Sequence, residues 1–360
     1  GIPMWVADMD FRPPKCISES IKKMYDHGVY GYFGDDKDYL ASIKWWMKTR
    51  HNWDIDLSWI FTTHGLVNGT SMAIQTYSDP GDGVVLFTPI YYVFFKQIKE
   101  GGREVLECPL VNNKGHYELD FEYYDSLMKG NEKVLVLSSP HNPGGRVWTQ
   151  KELTEIASFA QRHDLVVVSD EIHNDLIMPG YKHIPMAIAA PQILDRLVMM
   201  TATTKTFNIA GMHTGNVIIP DPKLRAAFNK TMVSFGISPS SFGKHMITAA
   251  YSQEGADWVD NLMLYLDENQ KIFNTELGKI PGINSMHLES TYLCWVDFSN
   301  TGMSKGEFTK RVEKTAQIAA SHGHTFGAGG EKFLRFNIAT RRTLLLEALE
   351  RLNETFSDLQ

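Results

Sequence analysis

Lys205 stands in "TATTKTFNIAG" (201–211), among small hydroxyl-bearing and apolar residues with no acid nearby in sequence to pair it. A lysine so placed loses hydration, which lowers its pKa and frees the amine as a nucleophile for Schiff-base chemistry. Most lysines that follow a strand are ordinary surface charges, so the company that this one keeps decides its meaning. "VVVSDEIHND" (166–175) runs three valines straight into Asp170, Glu171, His173 and Asp175. "PHNPGG" (140–145) carries Asn142, and "TPIYY" (88–92) carries Tyr91 and Tyr92. Each of these groups follows an apolar run that reads as a strand. Ligands of open α/β sheets bind beyond the carboxyl ends of the strands. A lysine, a carboxylate, an amide and an aromatic ring are therefore expected on one rim, while Glu171 and Asp175 read as structural.

An anion site is expected in "TTHGLVNGTSMAIQTYS" (62–78). Gly65 permits a close turn, and the residues after it read as a helix. The free amides of Leu66 and Val67 in its first turn would present donors and a positive dipole end to a phosphate. Glycine-rich alternatives fail, because no GxGxxG follows a strand and "GAGGEKF" (327–333) lacks the Lys-Ser/Thr pair of a P-loop. Together these parts suit pyridoxal phosphate. That cofactor needs a lysine for its aldehyde, an anion site for its phosphate, a carboxylate for its ring nitrogen and a flat partner for its ring.

The elements that must position these groups alternate in type. "GVVLF" (83–87), "KVLVLSS" (133–139), "LVVVSD" (165–170), "RLVMMT" (196–201) and "NVIIP" (216–220) read as strands buried on both faces, as in a mainly parallel sheet. "QKELTEIASFAQRHD" (150–164) places Leu153, Ile156, Ala157 and Ala160 at helical spacing. Strand and helix in turn predict an α/β sheet covered by helices. Residues 241–277 read as one long helical region, interrupted near Gly255. Strands at 291–298 and 332–339 and a helix at 341–357 then form a smaller α/β unit. The expected division is an N-terminal segment, 1–30, belonging to the small unit; a large domain, 31–255; and a small domain with its linking helix, 256–360.

The 360 residues are 43% hydrophobic and 21% charged, ordinary values for a globular chain. A net charge of −7 without a basic cluster argues against nucleic acid. Cys16, Cys108 and Cys294 are far apart and form no CxxC, so neither a disulfide framework nor a metal site is expected, and a reducing cytoplasm fits best. No apolar run approaches the roughly 20 residues that span a bilayer, so no membrane partner is expected.

"PMWVADMDF" (3–11), "GYF" (31–33), "HNPGGRVW" (141–148), "SDEIHNDL" (169–176), "KTFNIAG" (205–211) and "FLRFNIA" (333–339) occur in an order that resembles pyridoxal-phosphate enzymes of fold type I, the aminotransferase class I/II superfamily. The resemblance covers essentially the whole chain. "PMWVADMDF" and "DEIH" are more similar to the cystathionine β-lyase, or cystalysin-like C-S β-lyase, branch than to aspartate-type transaminases. It implies a large domain built on a mainly parallel seven-stranded sheet, a smaller α/β C-terminal domain, and an N-terminal arm of some tens of residues ahead of "PMWV". It implies that Lys205 carries the cofactor and moves the Cα proton, that Asp170 pairs with the ring nitrogen, and that Asn142 hydrogen-bonds the phenolic oxygen. Tyr91 stacks on the ring, with Tyr92 as second candidate. The Gly65 turn, the Leu66 and Val67 amides and Thr203 or Thr204 hold the phosphate, and His173 lies beside the cofactor. Arg335 clamps the substrate's α-carboxylate, with Ala7 of "PMWVADMDF" also against substrate. Tyr32 reaches the phosphate from a neighbouring subunit of a homodimer, although Tyr30 is close enough to compete. The chain departs from transaminases at His213, where an arginine is common, at Ala202, where serine is frequent, and at His173, which replaces a tyrosine. The implied activity is β-elimination from cystathionine or related S-substituted cysteines. A transaminase, and a regulatory or interaction protein that keeps the pocket, are the competing readings.

Overall fold

The computed structural model describes residues 1–359. Seven strands form the large sheet: β1 (Ile60–Thr63), β2 (Gly83–Thr88), β3 (Glu104–Pro109), β4 (Glu132–Ser138), β5 (Val166–Asp170), β6 (Leu197–Thr201) and β7 (Gly215–Ile218), in the order β1-β7-β6-β5-β4-β2-β3. Every pairing from β6 to β3 is parallel, and β7 runs antiparallel to both its neighbours. The fold is therefore the expected α/β class with a mainly parallel seven-stranded sheet.

Alternate residues explain the unbroken valine and leucine runs. Val84, Leu86, Val136, Val168 and Met200 pack on one face, while Val85, Phe87, Leu137, Val167 and Met199 pack on the other. Both faces are buried, so alternation disappears from the sequence. Each such side chain contributes about 1.5–3 kcal/mol when fully buried, which makes the sheet a rigid base for what stands on its rim. The helix Gln150–Arg162 begins at Thr149, whose hydroxyl accepts from the Glu152 N–H while Glu152 accepts from the Thr149 N–H, a reciprocal cap.

Two strands of this large sheet escaped the sequence reading, β1 and β3, and both are its edges. Edge strands are only partly buried and so lack a continuous apolar signature; Ile60, Phe61, Val105 and Leu106 are half-buried. The long C-terminal helical region is interrupted near Gly255, as expected: it divides into Ser241–Ala250 and Gln253–Leu277, with the break at Tyr251 and Ser252. Ser252 caps the second helix by accepting from the Gly255 N–H. Gly255 lies in that helix's first turn, where a Cβ would stand 1.8 Å from the Ala250 carbonyl oxygen, so the close approach of the two helices requires glycine.

Beyond the second helix, Asn284–Ser285, Leu293–Asp297, Phe333–Asn337 and Ser321–His322 form a four-stranded sheet with antiparallel neighbours. Ile2–Pro3 pairs in parallel with Ile318–Ala319, which brings the first residues of the chain beside this smaller sheet. Among the described residues no helix is long and apolar enough to cross a membrane, and no group of three or more His, Cys, Asp or Glu side chains could hold a metal ion.

Candidate active site

A cavity of about 530 Å³ opens at the carboxyl ends of the parallel strands. Register places Ser138 opposite Asp170, and Asp170 opposite Met200 one residue before the end of β6, so the residues leaving β4, β5 and β6 emerge side by side. Lys205, Asp170, Asn142, Tyr91, His173, Arg335, Thr204, Ala7 and the Gly65–Val67 turn all line this one cavity.

Lys205 lies in the single helical turn Thr203–Thr206 that follows β6. Its Nζ donates to the Ala7 carbonyl oxygen at 2.6 Å, and the Tyr292 hydroxyl donates to the same oxygen at 3.0 Å. Burial, reinforced by the charge of Arg335, lowers the ammonium to about 8, while Asp8 and Asp170 pull the other way. Near neutrality a useful fraction of the amine is free.

Asp170 ends β5 and is buried, with one hydrogen bond, from the Ile172 N–H to Oδ1 at 3.1 Å. Burial drives its carboxyl up to about 7, with Glu171 adding to the rise and the Ile172 amide and Lys205 opposing it. A carboxylate with acceptor capacity left over in a closed site suits a cationic N–H such as a protonated pyridine nitrogen. A folded value near 7 against about 3.9 unfolded means that the folded chain binds more protons between those limits, so ligand-free stability falls as pH rises through that window. Lys205 acts at higher pH: with a folded value of about 8 against about 10.4 unfolded, the unfolded chain holds the extra proton, and stability rises across that range. The buried, neutral His141 and His173, both held at about 3, contribute the opposite slope over the same acid range, so the Asp170 contribution is read as a difference. In the cofactor-free protein, Asp170→Asn is expected to gain stability relative to the parent as pH rises from about 4 to about 7. Melting curves on both proteins check this; parallel curves below pH 7 would show that Asp170 contributes no such penalty.

Arg335 is buried in an inner strand of the smaller sheet with no carboxylate bonded to it. Nη1 donates to Asn142 Oδ1 at 2.9 Å, Nη2 donates to the Trp5 carbonyl at 3.1 Å and to Ser321 Oγ at 3.3 Å, and Nε has no partner. Burial lowers its value to about 10, and the guanidinium sits 5.0 Å from the centre of the Phe326 ring. A buried cation held only by neutral groups is electrostatically open to an anion. Since Asn142 spends its oxygen on Arg335, its amide N–H₂ is left to donate toward the cavity.

The helix Gly65–Tyr77 points its first turn at the same space. Gly65 has φ +81°, a conformation that glycine adopts without strain. Gly215 of β7 lets the strand press against this turn, since a Cβ there would stand 3.1 Å from the Leu66 nitrogen. The opening amides of a helix have no partner within it, so the turn offers donors to an anion. Thr204 faces the cavity, whereas Thr203 is fully buried behind the lining with its hydroxyl unpartnered. His213, in the left-handed region at φ 44°, also lines the cavity.

Tyr91 lines one wall, with Tyr92 at the mouth 5.1 Å away between ring centres. Burial raises the Tyr91 phenol to about 12, so it stays neutral. His173 is buried, its value pulled down to about 3 by burial and by the charges of Lys205 and Arg335; it is a neutral ring whose Nδ1 has no partner. Tyr32 does not join the cavity of its own chain. It is fully exposed and borders a separate surface depression with Tyr30 and His27.

Several groups at the site were not foreseen. Tyr292 lies 285 residues from the carbonyl it holds, beyond the reach of any spacing argument. Two asparagines did leave a signal, because the tetrapeptide "FNIA" occurs twice, at 207–210 and 336–339. Asn208 accepts from the Met9 N–H and donates to the Met9 and Phe11 carbonyls, and Asn337 donates to the Val6 and Asp8 carbonyls. The repeat thus clamps the "PMWVADMDF" segment from both sides, close behind Lys205 and Arg335, and fixes the Ala7 carbonyl between them.

An amine, a carboxylate with spare capacity, an unpaired guanidinium and an amide-rich helix start are the donor set that pyridoxal phosphate and an amino acid require. Residues 6–352 match the family model for aminotransferase class I and II. Cystathionine beta-lyase PatB of Bacillus subtilis is 37% identical over 360 residues, covering 99% of this chain and 93% of that protein. The crystal structure of cystalysin from Treponema denticola, which contains pyridoxal 5'-phosphate, has a TM-score of 0.95 at 39% identity over 100% of this chain and 92% of that one. The pyridoxal-phosphate-bound C-S lyase from Staphylococcus hominis has a TM-score of 0.91 at 28% identity over 98% of this chain and 90% of that one. With this donor set on one rim and the match running over residues 6–352, the chain belongs to the aminotransferase class I and II family.

Proposed function

We propose that this protein is a pyridoxal-phosphate-dependent carbon–sulfur β-lyase, cleaving L-cystathionine or related S-substituted cysteines to pyruvate, ammonia and a thiol. The observation that carries the reading is the meeting of Lys205, Asp170 and the unpaired Arg335 in one cavity, together with relatives named as cystathionine β-lyase and C-S lyase. Bound pyridoxal phosphate supplies a protonated ring that takes up the electrons released at the substrate's Cα.

The chain's own residues do the rest. Arg335 holds the α-carboxylate, a fork-shaped task suited to guanidinium. Asp170 keeps the ring nitrogen protonated, and the Asn142 amide donates to the phenolic oxygen. The Leu66 and Val67 amides and Thr204 hold the phosphate, with the Thr203 hydroxyl behind them. Tyr91 covers one face of the ring. Lys205, with its lowered pKa, removes the Cα proton and holds it. The electron pair of the Cα–H bond then closes a Cα=Cβ double bond as the Cβ–S bond breaks. The leaving thiolate takes the proton that Lys205 holds, and the aminoacrylate, once released, adds water to give pyruvate and ammonia.

The working unit in this reading is a homodimer in the cytoplasm, divided within each chain into 1–30 with the small domain, 31–255 and 256–360. Support comes from Tyr32, fully exposed yet matched to a residue that acts across subunits, and from three cysteines that form no disulfide.

The test is to supply L-cystathionine without a keto acid and follow pyruvate and homocysteine. Steady multiple-turnover pyruvate is expected. A single burst that becomes catalytic only on adding 2-oxoglutarate would make the protein a transaminase. Light scattering on the same preparation checks the dimer, and a fully active monomer would refute it.

A further inference from the structure

Asp175 reads as structural from sequence, and the mechanism above makes no use of it. Its carboxylate is nevertheless buried at the junction of three segments. Oδ1 accepts from His51 Nε2 at 2.8 Å and from Trp46 Nε1 at 3.0 Å, both on the helix Lys37–His51. Oδ2 accepts from Thr206 Oγ1 at 3.0 Å. Thr206 is the residue after Lys205 and is fully buried. Burial pushes the Asp175 carboxyl up, but His51, Arg50 and Thr206 outweigh that and hold it below the ordinary carboxylate range. Asp175 is therefore an ionised acceptor for three protein donors.

The turn that carries Lys205 has only four helical residues, too few to hold a helix by itself. Neighbouring residues on a helix point about 100° apart, so when Lys205 faces the cavity, Thr206 faces the interior. Asp175 thus grips the back of the turn whose front presents the amine. It also lies five positions after Asp170 in the same loop, so a single carboxylate sets Lys205 relative to the group that meets the ring nitrogen. Trp46, which donates to Asp175, also packs 5.7 Å edge-on against Phe207, closing the far side of the turn.

We infer that Asp175, acting through the Thr206 hydroxyl and held in place by His51 and Trp46, is a positioning residue that aims Lys205 at the cofactor and the substrate's Cα. The inference rests on Lys205 being the cofactor-bearing base.

The experiment compares holoenzymes of the parent, Thr206→Val and Thr206→Ser by four measurements: cofactor content, visible circular dichroism of the bound cofactor, thermal midpoint, and kcat and KM for L-cystathionine. Thr206→Val removes the hydroxyl at constant shape. It is expected to keep a full complement of cofactor, to change the visible dichroism, and to lose about 10- to 100-fold in kcat with KM within about twofold, as a misaimed base predicts. Thr206→Ser, which restores the hydroxyl, is expected to return the dichroism and most of kcat. An unchanged dichroism and kcat in Thr206→Val, with or without a lower midpoint, overturns the inference; so does a Thr206→Ser enzyme as slow as Thr206→Val. If Thr206→Val does not fold, Thr206→Ala is judged by the same criteria, and failure of both to fold makes the contact purely structural and overturns it as well. A parent that binds no pyridoxal phosphate, by contrast, refutes the assignment of Lys205 itself.

Discussion

Lys205→Ala protein is expected to release pyruvate from L-cystathionine at least about 10,000-fold more slowly than the parent. Proton transfer by a positioned base contributes about 100- to 10,000-fold, and the covalent attachment of the cofactor is lost with it. Among the described residues no second lysine lines the cavity. The other cation deep in the cavity, Arg335, is a guanidinium, and its value of about 10 keeps it charged near neutrality. His173, although adjacent, is a weak base, with its value pulled down to about 3 by burial and the neighbouring cations. Steady-state pyruvate release measures the loss. Borohydride reduction of the parent followed by peptide mapping should place the cofactor's mass on Lys205. Residual activity above about one-tenth, or label on a different lysine, would sink the assignment.

Arg335→Ala is expected to lower kcat/KM by about 2–5 kcal/mol, the range for truncating one partner of a buried, hydrogen-bonded charge pair. That is about 30- to 4,000-fold. The loss should fall mainly on KM, because the α-carboxylate is held in the ground state and the transition state alike. Arg335→Lys should recover only part of it, since an ammonium cannot present the two parallel donors of the fork. Truncation also strips donors from Asn142 Oδ1 and the Trp5 carbonyl, so the thermal midpoint must be measured beside the kinetics. Comparing L-cystathionine with a substrate whose α-carboxylate is replaced by an amide separates the two effects. The neutral analogue should be cleaved about equally by parent and variant. A parent and an Arg335→Ala enzyme that differ less than threefold on L-cystathionine would show that Arg335 does not hold the carboxylate.

Much of the site was legible because its signals are local. The setting of Lys205 among threonines and alanines, the glycine at the start of the 65–77 helix and the valine run ahead of Asp170 depend on neighbours within a few residues. Solvation, φ freedom and helix-start chemistry act over that same range. The parallel sheet was legible for a related reason: strands covered on both faces show unbroken apolar runs, whereas the half-buried edge strands β1 and β3 do not. Strand direction was not legible at β7, whose run reads like its parallel neighbours yet pairs antiparallel to them.

The sequence alone determined which groups are chemically ready: an unpaired lysine, a carboxylate at a strand end, a helix start open to an anion and an arginine in a strand. Only the tertiary structure decided what those groups are worth together. It decided that Arg335 finds Asn142 and no carboxylate, that Tyr292 reaches across 285 residues to share the Ala7 carbonyl with Lys205, and that Tyr32 stands outside its own chain's cavity. It also decided what the structural role of Asp175 is, burying that acid against the turn bearing Lys205. The physical reason is distance. Hydration and backbone preference are set by sequence neighbours, but charge pairing, desolvation and the aim of a side chain depend on which remote segments the sheet register brings within a few ångströms.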